Sequence, residues 1–545
     1  MSDSNCAHSK ENFNERAAVG QACYIDGESG IDEPHADGSS LQPFKTLAYA
    51  YIQKLDQPNT CYLVRTLDAS KEESLNEPVW KAPSKSAVKK AEASLERFRK
   101  KEEKRQTADQ EQRKQRLVAL EQASSVIIEE DPSLPKAIKI SIGCKDIELG
   151  DNDKKGARVK VCGRIHRLRV QKQATFITLA DGYGHLQCVL ESGNLTKSHD
   201  ALMFAPSTSL AVYGEMKKIP PGQSAPDDRE LVVDYYTVIG TAPSDIQSLN
   251  NQVTASQNQW DAAMLDNRHL VLRGDTASSL MKLRATVELA FMQVYKKMNF
   301  TKVSPPTIVK GQVEGGSTLF KLPYYEEEAY LTQSSQLYLE TALAGLGNVY
   351  AIENSYRAEK SLTRRHLAEF THVEAEMDFI EFTDLLDHLE EIICSVVDIV
   401  LADKESSRYV KALNPDFQKP SRPFRRMRYS DAIKWLNSQD PPILNEFDKP
   451  HVFGDDIAEA AERKMTDQIN SPILLTHFPA ELKAFYMKKD VSDRQLTESV
   501  DLLMPGVGEI VGGSMRMEGY QELVDAYQKH GISAKDYYWY TDLRK

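Results

Sequence analysis

The stretch "SYRAEKSLTRRHLAEFTHVEAEMDF", Ser355 to Phe379, sets Arg357, Lys360, Arg364 and Arg365 among Glu359, Glu369, Glu374 and Glu376 and adds His366 and His372. Charge of both signs at this density is costly in a core and uncommon on an idle surface, so the segment is read as built to hold something. If "VYAIENSYRAE" is a strand, its side chains alternate, and Arg357 and Glu359 share one face. After a loop with Arg364, Arg365 and His366, a second strand from Glu369 to Phe379 would line one face with Phe370, His372, Glu374 and Glu376. Such a hairpin offers a fixed Arg for a phosphate, mobile positive charge for a polyphosphate tail and a ring to stack a base, which is what a nucleoside triphosphate needs. Taken alone, the charges also fit a salt-bridged surface hairpin.

Working outward, "ESVDLLMPGVGEIVGGSMR" places Asp501 and Glu509 near Gly512, Gly513 and Arg516. Two carboxylates beside a phosphate-binding Arg point to Mg2+ held between protein and triphosphate. In the other direction, Leu280, Leu283, Val287, Phe291, Val294 and Met298 recur at spacings of three and four, an amphipathic helix, and "FTKVSPP" follows as a strand ended by prolines. Before these come short β patterns. "RVKVCGRIH" alternates Val159, Val161 and Ile165, and "TFITLADGYGHLQCVL" reads as strand, Asp-Gly turn, strand. "SLAVYGEM" and "ELVVDYYTVIG" continue the series, which predicts a small barrel of the OB type, a fold whose open strand face takes single-stranded nucleic acid.

Residues 84–122 contain no Gly or Pro and are rich in Lys, Arg, Glu, Gln and Ala, so they predict a helix with little to bury. Its lysines, Lys100, Lys101 and Lys104 among them, fit a solvated linker and a basic arm for phosphate backbone equally well. Residues 21–78 read as a small domain with some strand. At 545 residues with 41% hydrophobic and 27% charged residues, the chain is a multidomain globular protein with no apolar run long enough for a membrane span. The net charge of −12 disfavours nucleic acid only until the local basic block is noticed. Seven scattered cysteines without a CxxC fit a reducing compartment, and the N-terminus carries no secretory or transit pattern, so the cytoplasm is expected.

Together "SPPTIVKGQVEGGSTLFKL", "LTQSSQLYLET", "SYRAEKSLTRRHLAEFTHVEAE" and "VGEIVGGSMR" resemble, in order and spacing, class II aminoacyl-tRNA synthetases of the aspartyl/asparaginyl group, most of all eukaryotic cytoplasmic asparaginyl enzymes. The similarity runs from about Phe44 to the last residue. It implies a multidomain α+β chain: an N-terminal appended domain (1–83), a charged helix and linker (84–132), an OB-fold anticodon-binding barrel (133–243), a hinge (244–275) and a catalytic domain with an antiparallel sheet flanked by helices (276–545). By resemblance Arg357 would hold the ATP α-phosphate with Glu359 nearby, Arg365 and His366 would reach the terminal phosphates, Phe370 would stack on adenine, and Asp501 and Glu509 would handle Mg2+.

The implied reaction is condensation of an amino acid with ATP, then transfer to tRNA. Aspartyl members resemble "QSPQLYK", whose Lys meets a carboxylate, whereas this chain has Leu339 there and Glu340 after it; that exchange disfavours aspartate and leaves an acceptor for the asparagine amide. Arg516 would donate to the amide oxygen, Gln336 would orient the substrate, and the loop from Glu314 to Phe320 would close over it. Phe176 would stack an anticodon base of tRNA(Asn), with Arg169 and Gln187 on the same face. Leu280 to Pro306 resemble the family's dimerisation segment, so a homodimer is implied. The rival readings are an aspartyl enzyme and a non-catalytic tRNA-binding or signalling paralogue.

The chain departs from the family at Arg164, Ala180 and "PDD" (226–228), where Trp, Arg and "PGG" are usual. It also stops at "YYWYTDLRK", before the family's Gly-rich strand, helix and second ATP-clamping Arg; the expectation is a sequence ended early rather than a paralogue without catalysis.

Overall fold

The structure, a computed structural model, describes residues 22–27, 30–32, 37–54, 60–66, 79–151, 153–171, 174–191, 193–242, 262–310, 319–360 and 366–545. Arg365, Glu314 and most of the expected hinge lie outside them. The chain divides into two units, residues 1–251 and 252–545.

The first unit opens with β1 (Ala22–Ile25), β2 (Cys61–Thr66) and β3 (Val79–Lys81), in sheet order β1-β2-β3. The helix Leu47–Gln53 starts where the Thr46 side chain accepts the Tyr49 N–H, relieving one of the donors a helix start leaves open. Cys23, Ile25, Phe44 and Ala50 form its small core. A 39-residue helix, Lys85–Ala123, follows, capped by Ser84. Among its described side chains Ala91 and Ala123 are buried while Lys100, Lys101 and Lys104 face solvent, as a sequence with so few apolar positions requires.

Next come β4 (Ile138–Ile140), β5 (Arg158–Val170), β6 (Ala174–Ala180), β7 (His185–Glu191), β8 (Ser209–Lys218) and β9 (Arg229–Gly240). The order β5-β6-β7-β9-β8, with β8 pairing back onto β5, closes a five-stranded barrel. Period-two alternation fills it: Val159, Val161, Ile177, Leu179, Leu186, Leu190 and Leu231 are wholly buried. Closure brings backbones so near that a Cβ on Gly214 would lie 2.1 Å from the Val232 carbonyl oxygen. In the "PDD" stretch Asp227 and Asp228 adopt φ of 54° and 52°, a left-handed turn that Asp tolerates better than most residues.

The described part of the second unit opens with the short helices Ala262–Asp266 and Arg268–Val271 and continues through the helix Asp275–Lys297, β10 (Thr301–Lys302), β11 (Ile308–Val309), β12 (Lys321–Tyr324), β13 (Glu327–Leu331), the helix Gln336–Leu346, β14 (Val349–Tyr356), β15 (Glu369–Glu376) and the helices Phe382–Ala402 and Lys404–Leu413. Then follow β16 (Arg425–Arg428), the helices Tyr429–Asn437 and Glu459–Ile469, β17 (Ile473–Thr476), β18 (Ser499–Met504), β19 (Gly508–Ser514) and the C-terminal helices Tyr520–His530 and Tyr538–Asp542. The ladders run β10-β14-β15, β11-β13-β12 and β16-β17-β18-β19. They are mainly antiparallel, as expected, but β10 with β14 and β16 with β17 are parallel.

Helices Asp275–Lys297 and Phe382–Ala402 cover β14 through Val294, Tyr295, Tyr350, Ile352, Ile392 and Val396, with Tyr295 stacked on Tyr350 at 4.5 Å. The predicted apolar stripe holds from Leu283 onward; Leu280, at its start, is 41% exposed. Among the described residues β15 pairs with β14 alone and β19 with β18 alone, so each presents a free edge.

Candidate active site

The β14–β15 hairpin forms in the register that places Ser355 opposite Phe370 and Ala351 opposite Glu374. The predicted strands are shorter than expected: β14 ends at Tyr356 and β15 at Glu376, so Arg357 and Glu359 lie just beyond the strand, although the Arg357 N–H still bonds to the Ala368 carbonyl at 3.0 Å. A cleft of about 1220 Å³ opens against this hairpin and β19. Arg357, Glu359, His366, Phe370, Gln336, Glu340, Asp501, Glu509 and Arg516 all line it. Residues from both faces of β15, Phe370 and His372 as well as Thr371 and Val373, border the same space, as do consecutive residues Glu509 to Ser514 of β19. The cleft therefore runs past both free edges.

At one end the guanidinium carbon of Arg357 sits 5.5 Å above the Phe370 ring. Phe370 packs against His372, whose Nδ1 lies 3.0 Å from the Ser355 hydroxyl. The Glu374 carboxylate accepts the Ser334 hydroxyl and the Ser335 N–H (2.5 and 2.9 Å), which anchors the start of the helix Gln336–Leu346 against β15.

That helix puts Gln336 and Glu340, four residues apart, on the cleft side. Leu339 is off that face. It is fully buried and packs on Val349, Ala351 and Val303, so the expectation that it lines the amino-acid pocket is corrected: the helix phase turns it into the core. Glu340 and Glu376 converge on Arg516, whose Nε donates to Glu340 at 3.0 Å, Nη2 to Glu376 at 2.6 Å and Nη1 to the Ser514 carbonyl at 2.9 Å. Burial works against the Arg516 charge, but Glu376 and Glu340 outweigh it and raise its pKa. Burial, helped by Glu340 and Glu374 and opposed by Arg516, lifts the Glu376 carboxyl to about 7.

At the other end a Cβ on Gly512 would lie 3.1 Å from Glu509 Oε1 and 3.7 Å from Asp501 Oδ1, so both carboxylates border the space the glycine leaves open. The second Asp501 oxygen binds Lys483 at 2.7 Å, and burial raises the Asp501 pKa against that lysine's pull. Glu462, on the helix Glu459–Ile469, faces the same group; burial, with Glu509 and Asp501 adding, pushes its carboxyl to about 8. Hard oxygen donors of this kind suit Mg2+.

A smaller cavity of about 540 Å³ lies beside Met298 and Phe300 and is lined by Asp384, Asp387, His388, Glu390, Glu391 and Arg422. It gathers none of the expected site residues, and Arg422 and Arg426 pair with its acids.

In the barrel, Phe176 stands opposite Arg169 on β5, with the guanidinium 5.5 Å from its ring, and is half-buried on the outer face while Ile177 points inward. Gln187 faces Thr178 on that side, but it is buried and its amide donates to Glu230 at 2.9 Å, so it is less open for base reading than expected.

The family profile "tRNA synthetases class II (D, K and N)" matches residues 261–545, "Asparaginal-tRNA synthetase, N-terminal domain" matches 39–135, and "OB-fold nucleic acid binding domain" matches 159–239. A Saccharomyces cerevisiae protein described as "Asparagine--tRNA ligase, cytoplasmic" is 47% identical over 529 residues, covering 96% of this chain and 92% of that one. The chain belongs to the asparagine–tRNA ligase family of class II synthetases. The Homo sapiens cytoplasmic asparagine–tRNA ligase is 45% identical over 524 residues, covering 96% of this chain and 91% of that one. An Entamoeba histolytica asparaginyl-tRNA synthetase solved with asparaginyl-adenylate superposes with a TM-score of 0.69 at 41% identity, covering 75% of this chain and 90% of that one.

Two residues that line the cleft, Lys483 and Arg544, and two that stand behind its wall, Glu462 and Tyr540, escaped the sequence reading. Lys483 and Glu462 lack a motif, and Tyr540 and Arg544 stand in what reads as a tail; Tyr540 and Arg544 both bond to Glu340.

Proposed function

We propose that the chain activates L-asparagine with ATP, forming asparaginyl-adenylate and releasing pyrophosphate, and then transfers the asparaginyl group to the terminal ribose of tRNA(Asn). The observation that carries this reading is the Arg516–Glu340 pair on the cleft wall. A guanidinium donor beside a carboxylate acceptor complements a carboxamide, which offers one acceptor and one donor, whereas an aspartate side chain would confront Glu340 with like charge.

Arg357 would take the α-phosphate and Phe370 would stack on the adenine; His366 and Arg365 would serve the terminal phosphates, with Glu359 nearby. Gln336 and the loop carrying Glu314 would orient and enclose the amino acid. Asp501 and Glu509 fit Mg2+, which when bound offsets the charge of the triphosphate. Little covalent chemistry falls to side chains. Alignment of the asparagine carboxylate with the α-phosphorus, and donors fixed before the reaction starts, supply the rate. The outer barrel face with Arg169 and Phe176 supports anticodon reading by stacking, and the exposed lysines Lys100, Lys101 and Lys104 support phosphate contact. A homodimer and a cytoplasmic location complete the reading; the relatives' names support the latter.

ATP–pyrophosphate exchange tests it. Asparagine-dependent exchange supports the reading, aspartate-dependent exchange replaces it with the aspartyl one, and exchange with neither favours a non-catalytic tRNA-binding role.

A further inference from the structure

Glu340 is buried, yet four donors reach it. Arg516 Nε (3.0 Å), Tyr540 hydroxyl (3.1 Å) and Gln336 Nε2 (3.2 Å) converge on Oε1, while Arg544 Nη2 binds Oε2 at 2.7 Å. Four donors hold the carboxylate in one orientation before any substrate arrives, and an incoming amide N–H would take the place of Gln336 Nε2, the longest of them at 3.2 Å. Arg544 is itself fixed: its Nε donates to the Met517 carbonyl at 3.1 Å, its guanidinium carbon lies 4.2 Å from the Tyr540 ring, and its side chain is 8% exposed. Residues 204 positions apart in sequence thus form the most secluded ion pair of the cleft.

We propose that Arg544, supported by Tyr540, is a positioning residue for asparagine recognition that anchors Glu340 through Oε2 and so leaves Arg516 free to serve the amide oxygen. The inference rests on the asparagine reading above. Without Arg544, the Oε2 oxygen loses its donor and the carboxylate can turn both oxygens toward Arg516. A two-point Arg516–Glu340 pair would then withdraw the guanidinium from substrate. Charge leads to the same result. Removing Arg544 makes the site more negative by one charge, which does nothing for asparagine and further repels aspartate.

The test is calorimetric binding to the full chain of two non-reactive adenylate mimics, asparaginyl- and aspartyl-sulfamoyl adenosine, with AMP as the ligand that lacks the amino acid. Arg544→Met should weaken the asparaginyl compound by about tenfold or more, equivalent to about 1.4 kcal/mol, leave AMP within about twofold, and give no gain for the aspartyl compound. Arg544→Lys should recover part of the loss. In a Glu340→Gln background the same Arg544→Met change should matter far less, because its partner is gone. An equal penalty in both backgrounds, or equal loss of AMP, would overturn the inference in favour of a merely structural arginine. Should Arg544→Met not fold, Tyr540→Phe removes a single hydroxyl and must still weaken the asparaginyl compound selectively; unchanged binding sinks the idea. Wild-type protein that prefers the aspartyl compound, or binds neither, refutes the asparagine reading itself, a different result from wild-type preference that survives loss of Arg544.

Discussion

Replacing Arg516 with Met removes the donors to both Glu340 and Glu376 while keeping an unbranched side chain in the site. Glu340 retains Arg544 and Tyr540, whereas Glu376 loses its 2.6 Å partner. The Arg516 side chain is 21% exposed, so little of the pair's energy is screened away, and breaking a buried pair by deleting one member costs roughly 3–5 kcal/mol. Glu376 can relieve part of that cost by taking a proton, since its carboxyl already titrates at about 7. Below that value both proteins carry it protonated and the variant's deficit is smallest. Above it the wild type releases the proton and the variant does not, so the folded variant holds the extra proton and its deficit grows by about 1.4 kcal/mol per pH unit until its own pKa is reached. Calorimetric melting at pH 6, 7 and 8 should show a depression of about 5–15 °C that widens with pH. Asparagine titrated into folded variant should bind about 10- to 150-fold more weakly, the worth of one charge-assisted hydrogen bond. A melting deficit that stays flat with pH would exonerate Glu376, and unchanged asparagine affinity would remove Arg516 from the substrate.

Leu339→Lys puts an ammonium into a fully buried apolar contact with β14, so it should destabilise by about 3 kcal/mol or more; a stable variant that activates aspartate would show that the side chain reaches the cleft after all. Phe176→Ala should weaken tRNA binding by about 1–3 kcal/mol through lost stacking with little change in barrel melting, because the ring sits on the outer face; a barrel that unfolds instead marks the ring as structural. Replacing Lys100, Lys101 and Lys104 together by Gln should lower the magnitude of the slope of log affinity against log salt by about 2–3; an unaltered slope assigns the helix Lys85–Ala123 to spacing alone.

Local signals carried much of this fold. Alternation fixed which residues of β15 share a face, and the Asp181-Gly182 turn marked the β6–β7 hairpin because Gly182 needs its φ of +91°. The charged helix was legible because so little in it could be buried. Leu339 was misread because it was placed by its match to a Lys of the aspartyl members, and a matched position does not say in which direction this helix faces its sheet. The partners of Glu340 stayed hidden for a different reason: Arg516 and Arg544 reach it across 176 and 204 residues, and only tertiary packing brings them there. Family resemblance supplied Arg516 but not Arg544 or Tyr540, and Glu462 and Lys483 have no local pattern that sets them apart from other surface charges.

The two half-sheets bordering the cleft share no ladder among the described residues, but the Arg516 guanidinium crosses between them, rooted two residues beyond β19 and bonded to Glu376 at the end of β15. The helix Phe382–Ala402 also packs on both, with Ile392 and Val396 against β14 and Leu386 and Leu389 against β17 and β18, so the guanidinium is a polar clasp beside an apolar one. Whatever draws on that guanidinium also alters how firmly the Arg357–Phe370 wall is held against the Asp501–Glu509 wall. An amino acid that draws on Arg516 and a nucleotide that touches both walls would therefore feel each other's presence, with each raising or lowering the other's affinity by the same factor.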